Sequence, residues 1–391
     1  MTSTFAPNRL RTDKSRLRKL NIKLVAIISV TLPVSLGFVF SLLSGHRDVS
    51  SLQHSPSTHV CTSCCVEELA SVLNLRVREP NIWCFELDSS RSNPTLLYTN
   101  LTAFDDAYSH YLSMAIEFIS EIGARFTSRG KIVWRIEDDA TLCANFLHWA
   151  RSVHVAVFGH SVLKVSNVSH LYTCMVPNFH MIETRGFEQL AKQIATDGTS
   201  FLQRERRVFW AGSTTGTCMS NCSGCMQLDR VKLVSVSKQF DWLSFHISGL
   251  VQWCQGWEER LIASELLAKH QNERVWAQFR GILDVDGNVD AWGLRWRLES
   301  GSVVFMVESS YVNILSEALV EGVHYLRISP DLSDLGSVTS IVLQQDMDDV
   351  LHNISLNSKL LMKTHFAYSD IVNRIAHQLS KTFIGSGKTG G

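Results

Sequence analysis

Two short runs in this chain combine residue types suited to holding an anionic group. The first is Gly212-Ser213-Thr214-Thr215, directly after the apolar stretch Val208-Phe209-Trp210-Ala211. A glycine there lets the backbone approach a ligand closely, and three hydroxyls join the backbone N–H groups as donors. The second is Asp284-Val285-Asp286-Gly287-Asn288, a tight turn whose last three residues are placed to shape the surroundings of a nucleoside or sugar. Arg295 and Arg230 carry fixed positive charges that can meet a phosphate through paired hydrogen bonds. The bend at Gly212 and the Arg295 guanidinium are expected to converge on one pyrophosphate pocket. A third run, Glu137-Asp138-Asp139, closes an apolar stretch. Adjacent carboxylates repel, which raises the proton affinity of one of them and suits a general base. Together these groups supply a grip on a diphosphate, charge stabilisation as it departs, and a base for an acceptor hydroxyl.

Other constellations compete for the same residues. Asp284-x-Asp286 also spells a pair of carboxylates able to hold a divalent cation against a diphosphate, whereas the expectation here is a turn that binds no metal. Cys218, Cys222 and Cys225 with His246 form a possible zinc set, with disulfides as the preferred alternative. The terminal GSGKTGG lacks the earlier glycine of a phosphate loop and is expected to be a disordered tail, residues 384–391.

The elements around these runs alternate. Residues 279–335 read as a strand, a helix at 291–299, a strand at 302–307, a further helix, and a strand at 325–328. That is the pattern of a parallel sheet covered by helices, which places ligands at the carboxyl ends of its strands. A strand at 207–210 and helices at 228–240 and 257–270 precede it, and 346–380 reads as a mostly helical tail. Nearer the amino terminus, strands at 82–86, 131–136 and 153–158 alternate with helices at 66–75, 105–126, 142–151 and 187–201. The expected fold is α/β, with two Rossmann-like domains over 61–200 and 201–383.

The series RRVFWAGSTTG, DVDGN, Trp292, Arg295, SGSVVF, His324-Tyr325 and DLSDL resembles glycosyltransferase family 90, which holds the fungal capsule-associated xylosyltransferases and the Rumi-type protein O-glucosyltransferases. The likeness covers about residues 206–383 and is faint over 61–200. It implies a GT-B-like architecture whose terminal helix packs back on the first domain, and a UDP-sugar (UDP-xylose or UDP-glucose) as co-substrate with no cofactor. It also implies an acceptor that is a protein serine or a glycan. The family pattern favours Arg295 over Arg230 at the phosphates. It aligns Asp138, with Asp139 as second choice, with the aspartate that takes the acceptor proton in an inverting displacement. Ala211 stands where the family usually has arginine, Met306 where many members have lysine, Tyr311 where tryptophan is common, and Glu137 and Asp139-Ala140 also depart from the pattern. Losing those cations favours the rival reading, a non-catalytic luminal protein that binds sugar or glycoprotein.

Lys+Arg and Asp+Glu are both 37, so no global field attracts nucleic acid, and an anion must be met locally. With 45% hydrophobic and 19% charged residues, 391 positions suit two globular domains plus appendages. A basic tail at 1–23 precedes a charge-free run within 24–44, long enough at ~1.5 Å per residue to cross a ~30 Å hydrocarbon layer. The positive flank orients it as a type II anchor, with a polar stem at 45–60. Ten cysteines and the sequons at Asn100, Asn167, Asn221 and Asn353 all follow this run, as expected of a luminal Golgi or endoplasmic-reticulum protein. The absence of a KDEL-like ending favours the Golgi.

Overall fold

The computed structural model describes residues 82–88, 94–100, 106–125, 129–135, 142, 144–164, 167, 169–197, 199–216, 224–251, 254 and 256–384. The expected tail, anchor and stem, the helix at 66–75, Asp138, Asp139 and Asn221 lie outside these residues. Among the described residues no helix is long and apolar enough to cross a membrane.

Among the described residues, twelve strands form two five-stranded sheets and a ribbon. The first sheet takes β1 (Ile82–Asp88), β2 (Thr95–Asn100), β3 (Arg129–Arg135), β4 (Ala156–Gly159) and β6 (Cys174–Met175), in the order β2-β1-β3-β4-β6. It is mixed: β1 runs antiparallel to both neighbours, whereas β3, β4 and β6 are parallel. The second takes β7 (Glu205–Ser213), β8 (Leu243–Gly249), β9 (Phe279–Asp284), β10 (Val303–Val307) and β12 (Leu326–Ile328), in the order β12-β10-β9-β7-β8. All its pairings are parallel. Central strands of such a sheet are covered on both faces, and every residue of β9 is buried. β5 (Ser161–Leu163) and β11 (Tyr311–Asn313) pair antiparallel, joining the chain that follows β4 to the chain that follows β10.

The helix Asp106–Gly123 buries Met114, Ala115, Phe118, Ile119 and Ile122, the spacing of one helical face, against Trp134 and neighbouring rings. The main core runs without a break from these side chains into Phe209, Ile282 and Phe305 of the second sheet. The last two helices divide their contacts. Asp348–His365 packs on the helix Leu294–Glu299 and on β10, while Tyr368–Ile384 packs on Asp106–Gly123.

Two expected elements differ. The helix at 257–270 stops at Ala263, because Glu265 takes a left-handed φ of 55° and turns the chain. Leu266 and Ala268 then pair with the backbone of Ile247 on β8. Between β10 and β12 there is a ribbon strand and turns instead of a helix: the Asn313 side chain accepts from Leu315 N and donates to Asp290, which holds this stretch away from helical geometry.

Candidate functional site

The order of the second sheet reverses between β7 and β9, and at such a switch point the loops leaving the two strands diverge and open a crevice. The two loops are Ser213–Gly216 and Val285–Asn288, and Arg230, from the helix Asp229–Ser237, stitches them together. Its Nε donates to Asp286 O at 2.9 Å and its Nη2 to Val285 O at 3.2 Å. Its Nη1 donates to Ser213 O at 3.3 Å and to the Thr215 hydroxyl. Gly216 N donates to Asn288 Oδ1 at 3.0 Å, a second link between the loops. Gly287 is needed for this approach: a Cβ there would lie 2.9 Å from Thr215 Oγ1 and 3.0 Å from Arg230 Nη2. Burial lowers the Arg230 guanidinium to about 10, so it stays charged at neutral pH. Gly212, Ser213, Thr215, Arg230, Asp286, Gly287 and Asn288 are therefore brought together. Thr214 turns inward, its hydroxyl donating to Val251 O and accepting from Val251 N, both at 2.8 Å.

Arg295 stands apart from this group. It is 3% exposed, pairs with Glu299, and donates from Nε to Phe366 O at 3.1 Å, where the chain passes between its last two helices. A tight space beside it is lined by His160, Asn178, Asp290 and Trp292. In this structure Arg230, and not Arg295, shares the Gly212 bend.

Beside the switch point, at the carboxyl ends of β9 and β10, lies a cleft of about 130 Å³. Asp284, Asp286 and Asp290 line it with Met306, Ser309, Tyr311, Tyr325, Arg327 and, from the other half of the chain, Lys164. Four carboxylates line it, the fourth being Glu308, which pairs with Arg327, and each has a protein partner. Asp284 is paired with Arg297, and burial pushes its carboxyl up against the pull of that guanidinium. Asp286 accepts from Ser309 Oγ at 2.7 Å and is raised to about 6, chiefly by burial. Asp290 accepts from Asn313 Nδ2 at 2.7 Å and is raised to about 7, again chiefly by burial. The carboxylates of the Asp284-x-Asp286 pair thus point at separate protein partners, and among the described residues no group of three metal-ligating side chains gathers.

Sequence reasoning missed Asp290, Ser309 and Lys164. Lys164 carried no local signal, because the segment that brings it to the cleft lies 145 residues away. The zinc set fails on bonding: Cys225 forms a disulfide with Cys254, so it offers no thiolate beside His246. Asn167 and Asn353 present exposed side chains, and Asn100 ends β2.

Residues 178–381, more than half of the chain, match the model of Glycosyl transferase family 90. A 99-residue stretch, 25% of this chain, is 32% identical to protein O-glucosyltransferase 2 of Danio rerio and covers 19% of that protein's length. Anabaena HepE in complex with UDP-glucose aligns with a TM-score of 0.37 and 9% identity over 73% of this chain and 87% of that one. A glycosyltransferase from Rickettsia africae aligns with a TM-score of 0.39 and 9% identity over 62% and 68%.

Proposed function

The chain belongs to glycosyltransferase family 90, and from that premise we propose that it moves xylose or glucose from a UDP-sugar to a hydroxyl of a protein or glycan in the secretory pathway. The reading is supported above all by the switch point, where Arg230 ties the Ser213–Gly216 loop to the Val285–Asn288 loop beside an open cleft. Two glycine-bearing loops meeting at the carboxyl edge of a parallel sheet, at its switch point, suit a nucleoside diphosphate.

The proposed reaction is a single inverting displacement. The acceptor oxygen bonds to the anomeric carbon as the bond to the β-phosphate oxygen breaks, and the electron pair leaves on the diphosphate. The acceptor proton passes to a carboxylate, assigned here to Asp138, with Asp139 as second choice. No metal is assigned to the step. The enzyme is proposed to act from a single-pass Golgi or endoplasmic-reticulum anchor, with its sequons in the lumen.

A thermal-shift screen of the purified full chain against UDP, GDP and CMP sugars tests the donor. Stabilisation by UDP-xylose or UDP-glucose is expected, and stabilisation by a GDP or CMP sugar alone would sink the assignment. Transfer with Asp138→Asn tests the base: turnover should fall at least ~100-fold, the usual scale of general-base catalysis, with UDP binding intact.

A further inference from the structure

We infer that Lys164, contributed by the first half of the chain, is the cation that meets the donor's diphosphate in the cleft beside the switch point; this deepens the function proposed above and rests on it. Cations line this cleft from two positions, Lys164 and Arg327. Arg327 is committed: its guanidinium lies 2.9 Å from Glu308 Oε2 and 3.5 Å from Glu321 Oε2. The nearby Arg297 is likewise held by Asp284. Arg230 directs four of its five donors at acceptors of the two loops.

Lys164 is arranged differently. Its Nζ donates to a backbone carbonyl, Ser309 O, at 2.8 Å, and among the described residues it has no carboxylate partner within ion-pair distance. An ammonium has three donors, so a single carbonyl leaves two for a ligand. The backbone around it is fixed, because Leu163 pairs with Tyr311 across the ribbon and Lys164 N donates to Ser310 O at 2.9 Å. The charge is thereby held over Ser309, whose hydroxyl binds Asp286 within the same cleft. A mobile, hydrated point charge on a fixed backbone suits a diphosphate, whose charge it can follow as the sugar bond breaks.

The consequence concerns the whole site. Met306 lines this cleft with an apolar side chain and Ala211 ends near the loops without a charge, so the second half alone offers the diphosphate little uncommitted positive charge. A donor clasped by Lys164 would be held by both halves together.

The test compares UDP with uridine, which lacks the diphosphate, by calorimetric titration of the full chain carrying Lys164→Met or Lys164→Arg. Lys164→Met should bind UDP roughly ten- to a hundredfold more weakly, the scale of one charge-assisted contact, and bind uridine as the wild type does. Lys164→Arg should recover most of the UDP affinity. Equal UDP affinity for Lys164→Met and wild type overturns the assignment while leaving the donor reading intact. An equal loss for UDP and uridine also overturns it, since that marks Lys164 as a prop for the ribbon. A wild type that binds neither UDP nor its sugars removes both readings.

Discussion

Arg230 carries more of the candidate site than any other side chain, and its role is geometric as well as electrostatic. A planar guanidinium reaches acceptors on two loops at once; a lysine ammonium at the same place cannot span them. Arg230→Lys is expected to lower stability by about 1–3 kcal/mol, because carbonyls of Ser213, Val285 and Asp286 lose a charged donor. UDP affinity should fall with it, as the loops part, and chemical denaturation with parallel titration reads both. Two aspartates of the cleft make a second prediction. Asp286 faces Asp284, Arg230 and Ser309, while Asp290 faces Asn313, Ser161 and the other two aspartates, and burial raises them to about 6 and about 7. Unfolded, both titrate near ~4, so between roughly pH 4 and 7 the folded chain binds more protons than the unfolded one. Their contribution to stability is therefore largest in acid and is lost as the pH rises through that window. Asp290→Asn mimics the protonated carboxyl and can still accept from Asn313. Its melting temperature should gain on the wild type as the pH goes from about 5 to about 8, and a constant difference would refute the shift.

At the scale of elements, the sequence was most legible where neighbours in the chain decide the outcome. β9 and β10 follow from short apolar runs, and the bends after β7 and β9 from the glycines that close theirs. The terminal helical stretch was legible as well, though its break at Phe366 was not. What escaped was set by distant partners: β11 is a strand because β5 is beside it, and Leu266–Ala268 leave a helix to lie along β8. The site followed the same division. The glycine bends were readable from their own residues, but which arginine joins them depended on the path of the Asp229–Ser237 helix. That path is pinned just ahead of the helix by the disulfide Cys225–Cys254, which closes a loop of sequence separation 29. A loop of that length loses about 3–4 kcal/mol of unfolded-state entropy when closed. Cys225→Ser with Cys254→Ser should accordingly melt several degrees lower, and donor affinity should drop if the bond also aligns Arg230. Unchanged melting would assign the bond no part in holding this helix.

For the whole molecule, the question is what joins a mixed sheet to a parallel one firmly enough for both halves to line one cleft. Among the described residues the halves are joined by the stretch 199–204 leading into β7, the β5–β11 ribbon, the packing of Glu188–Thr196 on Glu273–Trp276 and Leu294–Glu299, and the last two helices. These last helices are the strongest. Asp348 is gripped by Arg206 and Arg280 of the second half, and Arg295 holds Phe366 O at the turn. Past that turn, Ile371, Val372, Ile375, Leu379 and Phe383 are all buried, with the Phe383 ring against Gly130 of β3 and Tyr368 beneath Arg185. Burying five such side chains is worth roughly 8–15 kcal/mol, at ~1.5–3 each. Even with the entropy of ordering the helix set against it, that gross term is large beside the net stability of a typical domain. Ending the chain at Phe366 should therefore unfold the first sheet while the second keeps the contacts of Asp348–His365. Hydrogen exchange gives the readout: protection is expected to vanish across Asp106–Gly123 and β3 and to persist in β7 and β9. If the first sheet kept its protection without the last helix, the remaining crossings would be sufficient to hold the halves in register. If protection vanished in both, the shared core would be one cooperative unit, and no half could be studied alone.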